Sequence, residues 1–281
     1  MTTDGLAVVD KPAGMTSHDV VGRCRRIFGQ KKVGHAGTLD PDATGVLLVG
    51  LGRATRLMQY MSGLPKAYTT DIVLGAATTT LDDSGDVTAT WDMSAVTIDE
   101  ARAAAAKLTG DIEQVPPMVS AVKVGGRRLY QMAREGLEVE RSARPVTVSR
   151  FDLEPAGQGV LRASIECSSG TYIRVLADDL GRLLGGGAHV RNLRRTAVGP
   201  WGEADAVPLD DVGPDRVVPP AAMLPWLESA TVEGEVEAAV RYGRPLSGAE
   251  LGARGPGPWL VLDPGGDLLA VYEQHRRIVL A

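Results

Sequence analysis

The chain has 281 residues, of which 44% are hydrophobic and 23% charged, and its formal net charge is −5. These values are ordinary for a soluble globular protein, and the length allows one sizeable core with a small appended module. No apolar run approaches the roughly 18 residues that a membrane-spanning helix needs. The first residues lack the pattern of a signal peptide, so we expect a cytoplasmic protein without a membrane partner.

Cysteine and histidine usage argues against a metal site or a disulfide framework. Cys24 and Cys167 are far apart in the chain, and neither belongs to a CxxC pattern. The four histidines lack the spacing of paired metal ligands. We therefore expect no metal and no other cofactor.

Basic and acidic residues are segregated along the chain. The net charge is +4 over residues 1–70, −7 over 71–115, +5 over 116–199 and −7 over 200–281. Two basic blocks could form one positive face for a nucleic acid, despite the acidic total. Charge alone nevertheless favours the plainer interpretation that both blocks are solvated surface.

The N-terminal part of the chain predicts alternating strands and helices. Residues 6–9 predict a buried strand and residues 10–14 a turn, and Thr16 with Asp19 forms a capping box at the start of an amphipathic helix. Residues 29–45, rich in glycine, proline, threonine and aspartate, predict a loop. A buried strand at 46–50, a helix at 54–61 and an alternating strand at 66–75 follow.

The remainder of the chain predicts an α+β fold. Residues 76–95 predict an acidic surface excursion, and Thr97 with Glu100 predicts a second capped helix, ending near residue 108. Later elements are a short helix at 129–135, strands at 146–153, 159–167 and 188–198, a helix at 171–184, and short strands at 259–262 and 268–272. Without strict βαβ alternation, these elements predict a mixed central sheet. A shift towards proline and acidic residues predicts a large domain at 1–222 and a small, mostly β module at 223–281.

The stretch from His35 to Gly45, HAGTLDPDATG, is the most informative for chemistry. Asp40 lies in a glycine-bounded loop before a buried strand, and Pro41 favours an extended conformation at Asp40. Such a loop can hold a carboxylate rigidly at a sheet edge, where catalytic groups often lie. Taken alone, a structural aspartate in a turn is the more frequent case.

Two further segments could complete a site around this carboxylate. Arg174 follows a strand end and a glycine turn, and its guanidinium would keep a neighbouring carboxylate ionised. Tyr68 lies in a predicted strand, where a nucleobase could stack on its ring. The plainer alternatives are core aromatics for Tyr68 and Tyr172 and a surface charge for Arg174.

Seven stretches between roughly residues 5 and 200 follow the order of one known family. They are DKPAGMTSHDVV at 10–21, GHAGTLDPDATGVL at 34–47, KAYTTDIVLG at 66–75, GDIEQVPPMVSAVKVGGRRLYQMAREG at 110–136, RPVTV at 144–148, CSSGTYIRVLADDLG at 167–181 and GAHVRNLRR at 187–195. Together they resemble the bacterial TruB family of tRNA pseudouridine synthases. The resemblance implies a pseudouridine-synthase catalytic domain at 1–222, a thumb segment at about 117–147 and a PUA-like module at 223–281.

The resemblance also implies the activity and its catalytic residues. The family isomerises the uridine at position 55, in the T loop of tRNA, to pseudouridine after flipping the base out of its stack. Asp40 matches the catalytic aspartate, Arg174 the arginine that pairs with it, and Tyr68 the tyrosine that stacks on the flipped uracil.

Four other positions match substrate-binding residues of the family. His35 matches a histidine that contacts the RNA near the target, and Tyr172 and Leu193 match pocket positions. Lys11 matches a lysine that supports the pocket. Asp42 departs from the pattern, because a second inward-facing carboxylate would raise the pKa of Asp40. We therefore expect the Asp42 side chain to point to solvent.

The expected partner is the T-stem-loop of tRNA, bound by a monomer without an obligate protein partner. Arginines and lysines in the basic blocks are candidates for phosphate contacts, which fix register rather than read sequence. These candidates are Arg23, Arg25, Arg26, Lys31, Lys32, Arg127, Arg128, Arg191, Arg194 and Arg195.

Two other functions remain open. In the first, the chain is an RNA-binding or tRNA-folding protein in which catalysis is secondary. In the second, it is a carboxylate-based glycosidase or nucleosidase, which needs a second carboxylate, and Asp42 is the only near one. A zinc nucleobase deaminase is excluded, because the HxE and PCxxC patterns are missing.

Overall fold

A computed structural model describes residues 2–118, 120, 123–124, 126–128, 132, 135, 137, 139–273 and 277–280. The chain divides into two compact units. The first comprises residues 1–41, 45–63 and 199–281, and the second comprises residues 42–44 and 64–198.

The described residues form the following strands and α-helices. The strands are β1 (Gly5–Lys11), β2 (Val33–Ala36), β3 (Thr44–Leu51), β4 (Lys66–Leu74), β5 (Ala76–Thr78), β6 (Val87–Thr90), β7 (Gly110–Gln114), β8 (Lys123–Val124), β9 (Arg127–Arg128), β10 (Arg144–Gly157), β11 (Val160–Cys167), β12 (Ala188–Val198), β13 (Trp201–Gly202), β14 (Val207–Pro208), β15 (Glu228–Thr231), β16 (Trp259–Leu262), β17 (Leu268–Tyr272) and β18 (Arg277–Val279). The helices are α1 (Ser17–Ile27), α2 (Met58–Ser62), α3 (Ile98–Lys107), α4 (Ile173–Leu183) and α5 (Gly234–Arg241).

Strands β1 and β3 form the centre of the first unit. They pair antiparallel over the whole length of β1, β2 adds to β3 antiparallel, and β14 adds to β1 parallel. Residues in both central strands are buried almost throughout, which explains why their sequences are apolar runs rather than alternating patterns. The parallel pair makes the sheet mixed, and the predicted α+β class is confirmed.

The C-terminal part of the first unit has a sheet and a core of its own. Strands β15 to β18 lie in sequence order around a cluster of buried residues that includes Val240, Val261 and Tyr272. The strands predicted at 259–262 and 268–272 are confirmed, whereas helix α5 was not predicted. The division at residue 222 into a domain and a module stays a prediction.

The second unit is built on five antiparallel strands in the order β12, β4, β11, β10, β7. Helix α3 packs against β10, and helix α4 packs against β12. Their apolar faces bury one cluster that includes Ile72, Val148, Ile165, Leu176 and Leu180. Strand β4 is flanked on both sides, so residues on it have little freedom to move.

Both predicted capping boxes are present, at Thr16 before α1 and at Thr97 before α3. Three other predictions were wrong in part. The predicted loop at 29–45 contains strand β2, because Val33–Ala36 completes its hydrogen bonds on β3. The predicted helix at 54–61 begins as a 3₁₀ segment, and the excursion at 76–95 contains the hairpin of β5 and β6.

Predictions for the segment around 117–147 cannot all be compared with the structure. The helix predicted at 129–135 and much of the predicted thumb lie outside the described residues. Among the residues that are described, no helix is both long enough and apolar enough to cross a membrane.

Two helical glycines allow a test of the packing of α4 on β12. A Cβ atom at Gly181 would collide with backbone atoms of Gly187 and Ala188, whereas one at Gly22 in α1 would meet nothing within 4 Å. We expect Gly181→Ala to lower the free energy of unfolding by about 1–3 kcal/mol. Gly22→Ala should raise it by about 0.5–1 kcal/mol, because alanine favours the helix. Urea unfolding measures both, and equal effects would contradict the described packing.

Candidate active site

The loop that carries Asp40 joins β2 to β3. Hydrogen bonds hold Leu39 and Pro41, the residues on either side of Asp40. The Leu39 amide donates to Ser17 Oγ at 2.8 Å, and Ser17 Oγ donates to the Leu39 carbonyl at 3.3 Å. The Gly14 amide donates to the Pro41 carbonyl at 3.0 Å. The backbone at Asp40 is therefore fixed from two directions by α1 and by the turn that precedes it.

A buried lysine completes this anchoring. Lys11 is fully buried, and its Nζ donates to the carbonyls of Pro12 at 2.8 Å, Met15 at 2.6 Å and Pro41 at 2.8 Å. An ammonium group has three protons to donate, and these three carbonyls accept them. Because burial of an unsatisfied charge is costly, this arrangement ties the loop to the end of β1.

The two carboxylates of the loop differ in exposure. Asp40 is half-buried, and Asp42 is exposed, so the expectation that Asp42 faces solvent is confirmed. His35 lies on β2, half-buried, opposite Val49 of β3. Asp40, His35 and Lys11 all belong to the first unit, whereas the other four predicted site residues belong to the second. The contact predicted between Asp40 and Arg174 stays a prediction.

Tyr68 lies in the middle of the second unit's sheet. On β4 it is opposite Ile165 of β11 and Arg195 of β12, and its ring packs against the buried apolar cluster. Arg195 is 1% exposed and hydrogen-bonds to the Tyr68 side chain. Burial lowers the pKa of the Arg195 guanidinium, and the interaction with Tyr68 opposes that change. The prediction that Arg195 contacts phosphates from the surface was therefore wrong, because its side chain is in the core.

Arg174 occupies the first turn of α4 and is 3% exposed. Its Nη1 donates to the Thr80 carbonyl at 2.7 Å, and its Nε lies 3.8 Å from Asp82 Oδ2. The Thr80 carbonyl and the Asp82 carboxylate, both in the segment 76–95, thus orient the Arg174 guanidinium. Neither Thr80 nor Asp82 was predicted from the sequence, because only the fold brings residues so distant in the chain close to Arg174.

A hydrogen bond holds the backbone of Tyr172, and an irregularity in β12 places Leu193. Tyr172 is the residue before α4, where its amide N–H has no acceptor within the helix, and it donates to Gln114 Oε1 at 2.9 Å. Leu193 follows Asn192, whose φ of 55° marks an irregularity in the pairing of β12 with β4. This irregularity lets Leu193 turn towards the apolar cluster, against which it packs.

Lys66 is a second buried lysine, two residues before Tyr68 on β4. It is 6% exposed, and its Nζ donates to the Leu64 carbonyl at 2.6 Å. Burial lowers the pKa of the Lys66 ammonium to about 8, and the nearby charge of Arg195 contributes in the same direction. Burial also raises the pKa of the Cys167 thiol, opposite Lys66 on β11, to about 11.

The structure offers no alternative centre for metal chemistry in the part of the chain that it describes. No group of three histidine, cysteine, aspartate or glutamate side chains is arranged to hold an ion there. Both cysteines, Cys24 and Cys167, are buried and free.

The lowered pKa of Lys66 makes a prediction about stability and pH. Between pH 8 and 10.5 the unfolded chain binds more protons at this residue than the folded chain, so wild-type stability should rise with pH in this interval. The substitution Lys66→Met removes this dependence. The free energy of unfolding of Lys66→Met minus that of the wild type should fall by on the order of 2 kcal/mol from pH 7 to pH 10.5. Urea unfolding across this range measures it, and a constant difference would refute a depressed pKa.

Two family models match consecutive parts of the chain. The model described as TruB family pseudouridylate synthase (N terminal domain) matches residues 25–173. The model described as tRNA pseudouridylate synthase B C-terminal domain matches residues 174–216.

Curated relatives and a solved structure are similar over most of the chain. The tRNA pseudouridine synthase B of Mycobacterium sp. (strain KMS) is 46% identical over 277 residues, which cover 96% of this chain and 92% of the relative. The protein of the same name from Symbiobacterium thermophilum is 49% identical over 245 residues, covering 85% and 82%. A structure of a Cbf5-Nop10-Gar1 complex is 27% identical with a TM-score of 0.75, covering 96% of this chain and 78% of that one.

Proposed function

The chain belongs to the TruB family of pseudouridylate synthases, and on that premise we propose which of its residues act on RNA. Its activity is the isomerisation of uridine in tRNA to pseudouridine. We propose that the target is the uridine at position 55, in the T loop. The reaction breaks the N1–C1′ bond, rotates the base and joins C5 to C1′, so the product is an isomer and no group is gained or lost.

Asp40 is the proposed nucleophile. The observation that supports it is the anchoring of its loop: Leu39 and Pro41 are both hydrogen-bonded to residues at the end of β1 or in α1. A carboxylate so held can meet a substrate without first being ordered, which lowers the entropic part of the barrier. Carboxylates support either addition to C6 of the ring or participation at C1′.

Arg174 is the proposed partner of the Asp40 carboxylate. An arginine beside a carboxylate in a dry pocket keeps the acid ionised, and ionisation is what a nucleophile needs. The buried guanidinium is already oriented by the Thr80 carbonyl and by Asp82, which supports a role in precise positioning. We therefore assign Asp82 to the same site as a positioning residue.

Tyr68 is proposed to receive the flipped uracil. Removing a base from its stack costs a few kcal/mol, and stacking on an aromatic ring returns about 1–3 kcal/mol. The position of Tyr68 on a strand flanked by two others supports this role, since the ring cannot swing away freely. Tyr172 and Leu193 would line the pocket, His35 would contact the RNA, and Lys11 would support the loop from inside the protein.

The tRNA T-stem-loop is the proposed binding partner, recognised mainly by its folded shape. Arginines on α1 and β12 would contact phosphates; Arg191 is exposed, and Arg194 donates from Nη1 to Thr44 Oγ1 at 3.3 Å. We propose that the protein acts as a monomer in the cytoplasm, without an obligate protein partner. The segment at 117–147 would close over the RNA as a thumb, and residues 223–281 would form a PUA-like module.

Release of tritium from the target uridine tests the assignment of Asp40. Unmodified tRNA carrying tritium at C5 of uridine loses the label when C5 joins C1′. We expect the wild type to release tritium and Asp40→Asn to lose at least about 10³-fold in rate, because an amide is a poor nucleophile. Asp42→Asn is the matched control, since Asp42 is exposed, and it should retain the wild-type rate.

Two other outcomes would contradict these assignments. Equal loss in Asp42→Asn and Asp40→Asn would remove Asp40 from its assigned role. A wild type that binds tRNA but releases no tritium would favour the RNA-binding or tRNA-folding function instead.

A further inference from the structure

One turn presents Thr80 and Asp82 to Arg174, and the importance of its shape rests on the function proposed above. This acidic turn, residues 79–86, joins β5 to β6. Leu81 within it has a φ of 63°, a left-handed conformation that costs a non-glycine residue free energy. Hydrogen bonds within the turn, such as that from the Thr79 amide to the Asp86 carbonyl at 3.0 Å, offset part of this cost.

Backbone contacts with β12 also support the turn. The Val190 amide donates to the Leu81 carbonyl at 3.1 Å, and Asp82 bridges Val190 in parallel register. Within the turn, Asp82 Oδ1 accepts from Ser84 Oγ at 2.6 Å. The other oxygen of this carboxylate, Oδ2, is the one that faces Arg174.

His189, the residue before Val190, makes a second link. Its Nδ1 lies 3.0 Å from the Ala76 carbonyl oxygen, and its Nε2 lies 3.1 Å from Asp83 Oδ1. The His189 ring is buried, whereas the Asp83 side chain is about half exposed. A carbonyl oxygen and a carboxylate are both acceptors, and a neutral imidazole has only one N–H to donate. Both contacts are made together only by the imidazolium form.

Asp83 is the charged group that lies within ion-pair distance of the His189 ring. Strands β5 and β6 carry no charged residue, and the residue opposite His189 on β4 is Val73. The turn carries Asp82, Asp83 and Asp86, and helix α4 carries Arg174, Asp178, Asp179 and Arg182. Arg174 lies near Asp82, and Arg182 pairs with Asp178 at 2.9 Å.

We propose that protonated His189 is a positioning residue: by holding Ala76 and Asp83 together, it fixes the acidic turn that orients Arg174. Loss of the proton leaves one of the two contacts unmade. Whichever contact is lost, the turn that carries Asp82 keeps only one of its two links to the His189 ring. The rate of pseudouridine formation should therefore be lower with neutral His189 than with protonated His189.

Single-turnover tritium release from pH 5.5 to 9, with enzyme in saturating excess, tests the proposal. We expect the wild-type rate to contain a step of about two- to fivefold, the range for a partly exposed ion pair. Asp83→Asn should reduce that step, because it removes the ionic partner, and His189→Gln should remove it. Asp86→Asn, a matched loss of charge elsewhere in the turn, should keep the wild-type profile. Identical profiles in all four proteins would overturn the proposal.

A measurement without catalysis separates this proposal from the proposed function. The ¹⁵N resonances of the His189 ring report whether both nitrogens are protonated, and the amide resonances of Leu81 and Asp82 report the state of the turn. We expect these amides to shift with the His189 titration in the wild type and not in His189→Gln. Absence of tritium release at every pH would reject the function alone, whereas amides that ignore the His189 titration would reject the positioning role.

Discussion

A single buried ammonium group anchors the loop that carries Asp40, the proposed nucleophile. Lys11 has no exposed surface and gives its three protons to carbonyls of residues 12, 15 and 41. An unsatisfied ammonium in the same place would cost several kcal/mol, which favours the approach of the turn at residues 12–15 and the loop at Pro41 to Lys11. With the bonds between Ser17 and Leu39, this arrangement fixes the short loop on both sides of Asp40.

The second unit also buries and pairs polar side chains, among them the proposed partner of Asp40. The Arg174 guanidinium is directed by a carbonyl and a carboxylate from the acidic turn, and Arg195 is directed by Tyr68. Such groups are ordered before any RNA arrives. An enzyme whose reaction only rearranges its substrate gains its rate from this kind of preorganised positioning and charge.

The sequence was sufficient where a local pattern decides the structure. The capping boxes at Thr16 and Thr97 are examples, because each depends on neighbours within a few residues. The contact of Arg174 with Thr80 spans 94 positions, and no local pattern encodes it. Arg195 was predicted as a phosphate contact, since arginine is usually exposed; its side chain is instead buried and hydrogen-bonded to Tyr68 on the neighbouring strand. Motif resemblance named Asp40, Arg174 and Tyr68, but it could not show what holds them.

The substitution Lys11→Met tests the central role of the buried ammonium most directly, because methionine keeps the apolar stem and removes the three donors. The quantity to measure is the single-turnover rate of pseudouridine formation at saturating enzyme, with tRNA affinity and far-UV circular dichroism measured alongside. We expect a folded variant with tRNA affinity within about twofold of wild type and a rate lower by about 10- to 100-fold, the effect of a small misplacement of the nucleophile. A folded variant with the wild-type rate would contradict the claim that Lys11 places Asp40.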